Sequence, residues 1–403
     1  MRLRLLFLSQ RFLYPLDTGG KIRTAKILEK LKERCDITLV SQVESPQDDP
    51  YLDEVKRLCS EFHAVPWRET RKYSSRFYLK VLARSLSRYP VTVINDYSRD
   101  LSRTLETVAK ERGYDLLVCD FLQPSLNFRR LHGKPTLLFQ HNVESMIPKR
   151  HCETATNPLL RLFWWSQWRK MVRFEQAQCQ RFGGIVTVSE TDKQVLETEF
   201  SAPRVFAIPT GVDTDYFRPD ESAPEEGSLV FSGAMDWLPN EDAVIYFVEE
   251  ILPRIRAQIP TVTLTLVGRN PSRRLLARIG DRPEVRVTGW VEDVRPFVKR
   301  SALYVIPLRI GGGTRIKAYE AMAMGKAVVS TPIGVEGLPL IDGEHVVQAE
   351  GAQAFADSVV GLLRDPKRRR RIERSARKLV ERNFSWERAA SVFLDACYAV
   401  AGV

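Results

Sequence analysis

The most constraining stretch of the sequence is residues 307–338, PLRIGGGTRIKAYEAMAMGKAVVSTPIGVEGL. The run before it, Ala302 to Ile306 (ALYVI), has the unbroken apolar character of a strand buried on both faces. Gly311, Gly312 and Gly313 follow, then Thr314, a residue type suited to a helix N-cap, and about ten helix-compatible residues ending at Gly325. Ala327 to Val329 opens the next apolar run. Strand, glycine loop, helix and strand in this spacing make a parallel α/β unit. The N–H groups of a helix's first turn lack partners and carry the positive end of its dipole, so that end attracts anions. Arg315 and Lys317 add two cations there, and Glu320 sits one turn beyond Lys317 on roughly the same face. Diphosphate on the cations and ribose hydroxyls on the carboxylate is the chemistry of a nucleotide-sugar site. A tight βα turn with a solvated glutamate would use the same residues.

The whole chain has 403 residues, room for two cores rather than one. Its net charge of +11 implies an acidic partner: an anionic membrane surface, nucleic acid or phosphorylated substrates. Cys35, Cys59, Cys119, Cys152, Cys179 and Cys397 show no CxxC or CxxH spacing, so they are expected to be cytosolic thiols rather than a disulfide framework or a metal site. The opening MRLRLLFLSQRFLYP is expected to be a first strand, since Arg11 interrupts it too early for a signal peptide. No run approaches the ~18 apolar residues of a membrane-spanning helix.

In the first half, strands are predicted at Leu3–Leu8, Ile37–Val43, Leu116–Cys119, Thr136–Gln140, Ile185–Ser189 and Val205–Ile208, with helical stretches between them. That alternation predicts a doubly wound sheet. Gly19 and Gly20 form a loop before a helix over Ile22–Leu31. His141 directly follows a strand, and strand carboxyl ends are where α/β sheets place ligands. Glu144 and Glu190 are weaker candidates. Two inserts interleave cations with aromatics. In 68–90, Lys72, Arg76, Lys80, Arg84 and Arg88 recur every four residues beside Tyr73, Phe77, Tyr78, Leu82 and Leu86. In 157–182, Phe163, Trp164, Trp165 and Trp168 accompany Arg161, Arg169, Lys170 and Arg173. Such helices suit the headgroup layer of an anionic bilayer; nucleic acid, or an aromatic core with solvated cations, would use the same residues.

The acidic, proline-containing segment from Pro219 to Ser228 reads as a linker. Beyond it, strands are predicted at Leu229–Ser232, Val262–Val267 and Val285–Thr288, with a helix from Asn240 and Asp242 to about Ala257. Asp365 to Arg382 is a cationic helix with the character of a solvated surface, and Ser385 caps a last amphipathic helix over Trp386–Val400.

The wording EAMAMGKAVVSTPIGVEGL, the TGVD segment and GWVEDV resemble family 4 retaining glycosyltransferases of the GT-B fold, most closely between Ser228 and Leu338. The resemblance implies two Rossmann-like α/β domains facing across a cleft, 1–210 for the acceptor and 211–384 for the donor. A C-terminal helix, 385–403, crosses back to the first domain. Glu320 matches the second Glu of the family's Glu-x7-Glu motif, the ribose ligand. Its first Glu would fall at Gly312, so here the backbone of Gly311, Gly312 and Gly313, with Thr314, must meet the sugar or diphosphate. Gly19 and Gly20 match a Gly-Gly pair that approaches the diphosphate, and Trp290 and Val291 match the segment whose backbone meets the base. His141 lies where donor sugar and acceptor border each other, and Arg315 and Lys317 supply the phosphate charges. The implied protein is a hexosyltransferase with a nucleotide-diphosphate sugar as donor and a glycan or polyprenyl-linked acceptor. It uses no cofactor or metal and no nucleic acid, and it is cytoplasmic, peripheral on the inner face of the membrane through 68–90 and 157–182. The setting is exopolysaccharide or cell-envelope glycan synthesis. A nucleotide-sugar epimerase of the same fold and an inert sugar-nucleotide-binding module are the alternatives.

Overall fold

A computed structural model describes every residue except Met1, Asp17, Glu69, 71–73, Arg130, His132, Thr156, Glu221 and 311–315. It divides into two compact units, Met1–Pro209 with Trp386–Val403, and Thr210–Ser385.

The first unit is built on seven parallel strands: β1 (Leu3–Ser9), β2 (Cys35–Val43), β3 (Glu61–Pro66), β4 (Leu116–Asp120), β5 (Thr136–Phe139), β6 (Gly184–Thr187) and β7 (Val205–Ala207), in the order β3-β2-β1-β4-β5-β6-β7. Their apolar continuity has a direct cause. Side chains alternate between the two faces of a strand, and both faces of this sheet are covered. Leu5 and Phe7 enter one core with Leu39, Val118 and Phe139, whereas Leu6 and Leu8 enter the other with Val40, Leu117 and Leu138.

The second unit repeats the plan with β8 (Ser228–Ser232), β9 (Thr263–Val267), β10 (Val285–Gly289), β11 (Leu303–Ile306), β12 (Ala327–Ser330) and β13 (Val347–Gln348), in the order β10-β9-β8-β11-β12-β13. Phe231, Leu264 and Val305 point to one core, and Val230, Val267 and Tyr304 to the other.

The last helix, Trp386–Ala401, belongs to the first unit. Phe393 meets Phe139 edge-on at 5.0 Å, Lys30 pairs with Glu387 at 2.6 Å, and Arg204 donates to the carbonyl of Ala399 at 2.8 Å. A Cβ at Gly184 would lie 2.4 Å from Val400 Cγ2, so the bare backbone of β6 is what lets this helix seat.

Several elements differ from the sequence expectation. Gly19 and Gly20 are not a loop; they are the first two residues of the helix Gly19–Leu31, which Thr18 opens by accepting from the N–H of Ile22. The strand expected to reach Ser189 ends at Thr187, because Ser189 turns to cap the helix Glu190–Glu199 by accepting from Asp192. The helix expected from Asn240 starts two residues earlier, at Leu238. The edge strands β3 and β13 lack the apolar run of the central ones: in β3 only Val65 is buried. All six cysteines are free. Among the described residues no helix is long and apolar enough to cross a membrane.

Candidate active site

In each sheet the strand order reverses next to its first strand, between β1 and β4 and between β8 and β11. The connections leaving these two strands pass to opposite faces, so a crevice opens at their carboxyl ends. Both crevices hold polar clusters.

In the second unit the crevice is floored by glycines. β8 runs into Gly233, β9 into Gly268, and β10 ends at Gly289. A Cβ at Gly268 would lie 1.8 Å from the carbonyl oxygen of Gly233, so these backbones can meet only without side chains. From the other side of the crevice comes the helix Ile316–Ala323, which follows β11. Lys317 Nζ donates to Asn240 Oδ1 at 2.8 Å and lies 4.5 Å above the Phe231 ring. Asn240 is held in turn by donating to the carbonyl of Ala234 at 2.9 Å. A Cβ at Gly233 would come within 3.1 Å of that ammonium. Glycine therefore keeps the space beside the lysine open.

One turn along, burial pushes the Glu320 carboxyl up to about 7, with Lys317 drawing it the other way. No described residue donates a hydrogen bond to it. A carboxylate and an ammonium thus share the end of a crevice whose floor is backbone. Trp290 stands 72% exposed just past Gly289, and Val291 packs against the core below. Gly311, Gly312, Gly313, Thr314 and Arg315 lie outside the described residues.

The first unit's crevice is more tightly filled. Gly20 faces the ring of Phe121, where a Cβ would meet Cζ at 2.6 Å. Phe121 follows β4 with φ +67°, a conformation bulky residues rarely adopt, and its ring stacks on His141 at 3.9 Å and 4°. His141 is buried with both ring nitrogens engaged. Arg23 Nη1 approaches Nδ1 at 3.2 Å and Asp120 Oδ1 approaches Nε2 at 2.8 Å. Arginine can only donate, so Nδ1 accepts and the proton sits on Nε2, donated to Asp120. Burial lowers the imidazole pKa and keeps it neutral, against the pull of Asp120. Thr24 donates to both oxygens of Asp120 at 3.1 Å. Burial brings Arg23 down to about 10, opposed by Asp120 and Asp192, and its Nε has no partner.

Of the residues singled out in the sequence, Lys317 and Glu320 share the second unit's crevice, and Gly20 and His141 share the first unit's. Gly19 opens the same helix with nothing within 4 Å of where its Cβ would be. Glu144 lies outside this cluster in a buried pair with Glu175. Gln123 donates to Glu144 at 2.7 Å, and burial together with Glu175 pushes Glu144 up to about 7. Glu190 is a surface residue 3.8 Å from Lys193. Asp120, Arg23, Thr24, Phe121 and Asn240 were not found from sequence, although an aspartate closing the apolar run LLVCD was a usable signal. Among the described residues no group of three or more His, Cys, Asp or Glu is placed to hold a metal.

Two Rossmann-like units, each with a polar cluster at its own strand-order reversal, define a GT-B type fold. Two family profiles match the chain: Glycosyltransferase Family 4 over residues 18–216, and Glycosyl transferases group 1 over residues 226–365. The chain belongs to the family 4 glycosyltransferases. It is 20% identical to an uncharacterised 44.6 kDa protein in the cps region of Klebsiella pneumoniae, covering 95% of this chain and 97% of that one. It is 31% identical over 208 residues to a phosphatidyl-myo-inositol mannosyltransferase of Mycobacterium tuberculosis, a match that spans 48% of this chain and 54% of the mannosyltransferase. Among solved structures, sucrose-phosphate synthase from Thermosynechococcus elongatus superposes with a TM-score of 0.68 at 18% identity, over 100% of both chains. HepE from Anabaena, solved in complex with UDP, superposes with a TM-score of 0.66 at 13% identity, again over 100% of both.

If Asp120 is the counterion that makes the buried Arg23 tolerable, Asp120→Ala should cost about 3–5 kcal/mol of stability, as for a broken buried ion pair. Thr24→Val removes one hydrogen bond and should cost about 0.5–1.5 kcal/mol. Urea unfolding of both variants measures the difference, and equal costs would remove Asp120 from that role.

Proposed function

We propose that this chain transfers a hexose from a nucleotide-diphosphate sugar to a glycan or lipid-linked acceptor during cell-envelope glycan assembly, with retention of configuration. The observation that carries the proposal is the pairing of Lys317 and Glu320 at the open, glycine-floored crevice of the second unit. In this proposal Lys317, with Arg315 two residues before it in sequence, neutralises the charge that builds on the leaving diphosphate. Fixed cations at such a point are worth more than solvent, because they need no reorganisation. The role is one that a divalent metal would otherwise take, and no metal or other cofactor enters the proposal. Glu320 accepts hydrogen bonds from the ribose hydroxyls. The backbone around Trp290 and Val291 meets the base, and the glycines 311–313 approach the sugar or diphosphate. His141, neutral and fixed between Arg23 and Asp120, orients the first unit's crevice and is not a free base. Support for a sugar-nucleotide donor comes from HepE, crystallised with UDP, and support for an envelope setting from the cps-region relative. Retention rests on family membership.

We also propose a peripheral place on the inner face of the cytoplasmic membrane, on a narrower surface than the sequence implied. In 68–90, Arg84 is turned inward to Asn95 rather than standing on a basic face, and Lys72 and Tyr73 lie outside the described residues. What the helix Ser75–Ser85 and the turn after it expose are Tyr78, Leu79, Leu82 and Leu86. In 157–182 the later turns are core, with Met171, Phe174 and Cys179 buried, and only the first turns expose Leu159, Leu160, Leu162 and Trp165. Exposed leucines rimmed by cations suit an anionic bilayer better than nucleic acid.

Incubation with a panel of nucleotide-sugars and a lipid extract tests transfer: label on an acceptor supports it, and isomerised donor or binding without turnover overturns it. The acid–base state of Glu320 gives a sharper check. The empty site holds its proton up to about pH 7, whereas hydroxyl donors favour the ionised form. Donor affinity by calorimetry should therefore fall as pH drops below about 7 and level off above it. Glu320→Gln should flatten that profile and weaken binding about tenfold, the worth of one charge-assisted hydrogen bond. For the membrane surface, sedimentation with anionic vesicles should weaken about tenfold in Leu79→Ser/Leu82→Ser, at unchanged melting temperature. Undiminished sedimentation would exclude that surface.

A further inference from the structure

A second cluster of cations in the first unit lies apart from the residues assigned above. The helix Arg99–Glu111 begins at the carboxyl-end side of the sheet, where Ser98 caps it by accepting from Leu101. Beside it is a cavity of about 530 Å³ lined by Tyr97, Arg99, Ser102, Arg103, Leu126, Asn127 and Arg129. Three of these seven are arginines and none is an acid. Asp100 reaches Arg103 only at 3.9 Å, and the Asp96 carboxylate is engaged by Gln10 and Arg11, at 2.8 and 2.9 Å.

The wall of the cavity is fixed rather than fluid. Asn127, fully buried, accepts from the Ser98 N–H at 3.1 Å and from Ser102 Oγ at 3.0 Å, and donates to the carbonyls of Asp96 and Pro124 at 3.0 Å. One side chain thus locks the helix start against the turn that carries Arg129. Arg129 also stands beside Arg181, whose pKa is held down first by burial and then by Arg129, so like charges are crowded here. Crowded guanidinium groups on a rigid wall, with a helix N-terminus among them, match a phosphate better than a carboxylate, because phosphate offers more acceptor oxygens and more charge.

The neighbourhood decides which phosphate. Arg129 lies over the ring of Tyr89, which packs edge-on against Phe174. Lys170, on the same helix as Phe174, donates to the carbonyl of Ser85, at the end of the helix that exposes Leu79 and Leu82. Through Arg129, Tyr89, Phe174, Lys170 and Ser85 the wall of the arginine cavity is linked to the helix that exposes Leu79 and Leu82. We propose that the cavity is a phosphate-binding subsite that takes the phosphate or diphosphate of a lipid-linked acceptor, with its hydrocarbon along the exposed leucines. The word acceptor rests on the transfer reading above; the binding site does not.

Calorimetry on the full chain, with farnesyl diphosphate and with inorganic pyrophosphate as probes, tests this. Both should bind, the farnesyl compound more tightly. Arg99→Gln/Arg103→Gln/Arg129→Gln, all exposed positions, should weaken farnesyl diphosphate by about tenfold or more at unchanged melting temperature, and pyrophosphate likewise when Lys317→Ala has removed the diphosphate cation of the other unit. Lys317→Ala, in the other unit, should leave farnesyl diphosphate binding within about twofold. Wild-type affinity in the triple variant, or loss of all binding in Lys317→Ala, would overturn the subsite. Displacement of farnesyl diphosphate by phosphatidylcholine vesicles carrying phosphatidic acid would assign the cavity to a bilayer headgroup instead and overturn the acceptor assignment; no displacement supports it. Failure of the transfer reading looks different: probe binding stays intact while no sugar reaches any acceptor.

Discussion

Both polar crevices of this molecule depend on a property of doubly wound sheets. Where the strand order reverses, neighbouring connections part to opposite faces and nothing covers the strand ends. The gap is filled by whatever residues the two loops bring. In the first unit these are Gly20, from the helix after β1, and Phe121, from the turn after β4. In the second they are Gly233, after β8, and Lys317, from the helix after β11. Each gap thus has one glycine, which gives way, and one large side chain, which occupies the space. The chemistry differs because the large side chain is an aromatic in one case and a cation in the other.

The two clusters also differ in how their polar groups are balanced. Arg23, His141, Asp120 and Thr24 satisfy one another almost completely, so burial is compensated by charge-assisted hydrogen bonds. Glu320 is not balanced in this way. Its carboxyl is raised above the ordinary glutamate range, so the folded state is unpenalised at low pH and loses stability as pH rises toward about 7. A ligand that donates hydrogen bonds to it removes that penalty. Sites that keep such a cost in the empty state are characteristic of binding rather than of packing.

Much of the fold was legible because buried parallel strands leave long apolar runs, as LLFL in β1 and LYVI in β11 do. The strands β3 and β13 were not: in β3 only Val65 is buried, and β13 is two residues long. The residues of the helix Ile316–Ala323 were legible for a related reason: Lys317 and Glu320 are one turn apart, and local spacing is written in sequence. The first unit's cluster was not. Thr24 and Asp120 meet across 96 positions of sequence, and no periodicity links them. Likewise Asn240, 77 residues from Lys317, has no local mark of its role.

The central claim is that the strand ends of the second unit, with the helix Ile316–Ala323, form the donor site. Hydrogen–deuterium exchange with and without a saturating nucleotide-sugar tests it most directly. Protection should appear in peptides covering Ser232–Asp236, Gly268–Asn270 and Ile316–Met324, and should vanish in Lys317→Ala at the same donor concentration. Protection that spares all three segments while donor is demonstrably bound would contradict the account.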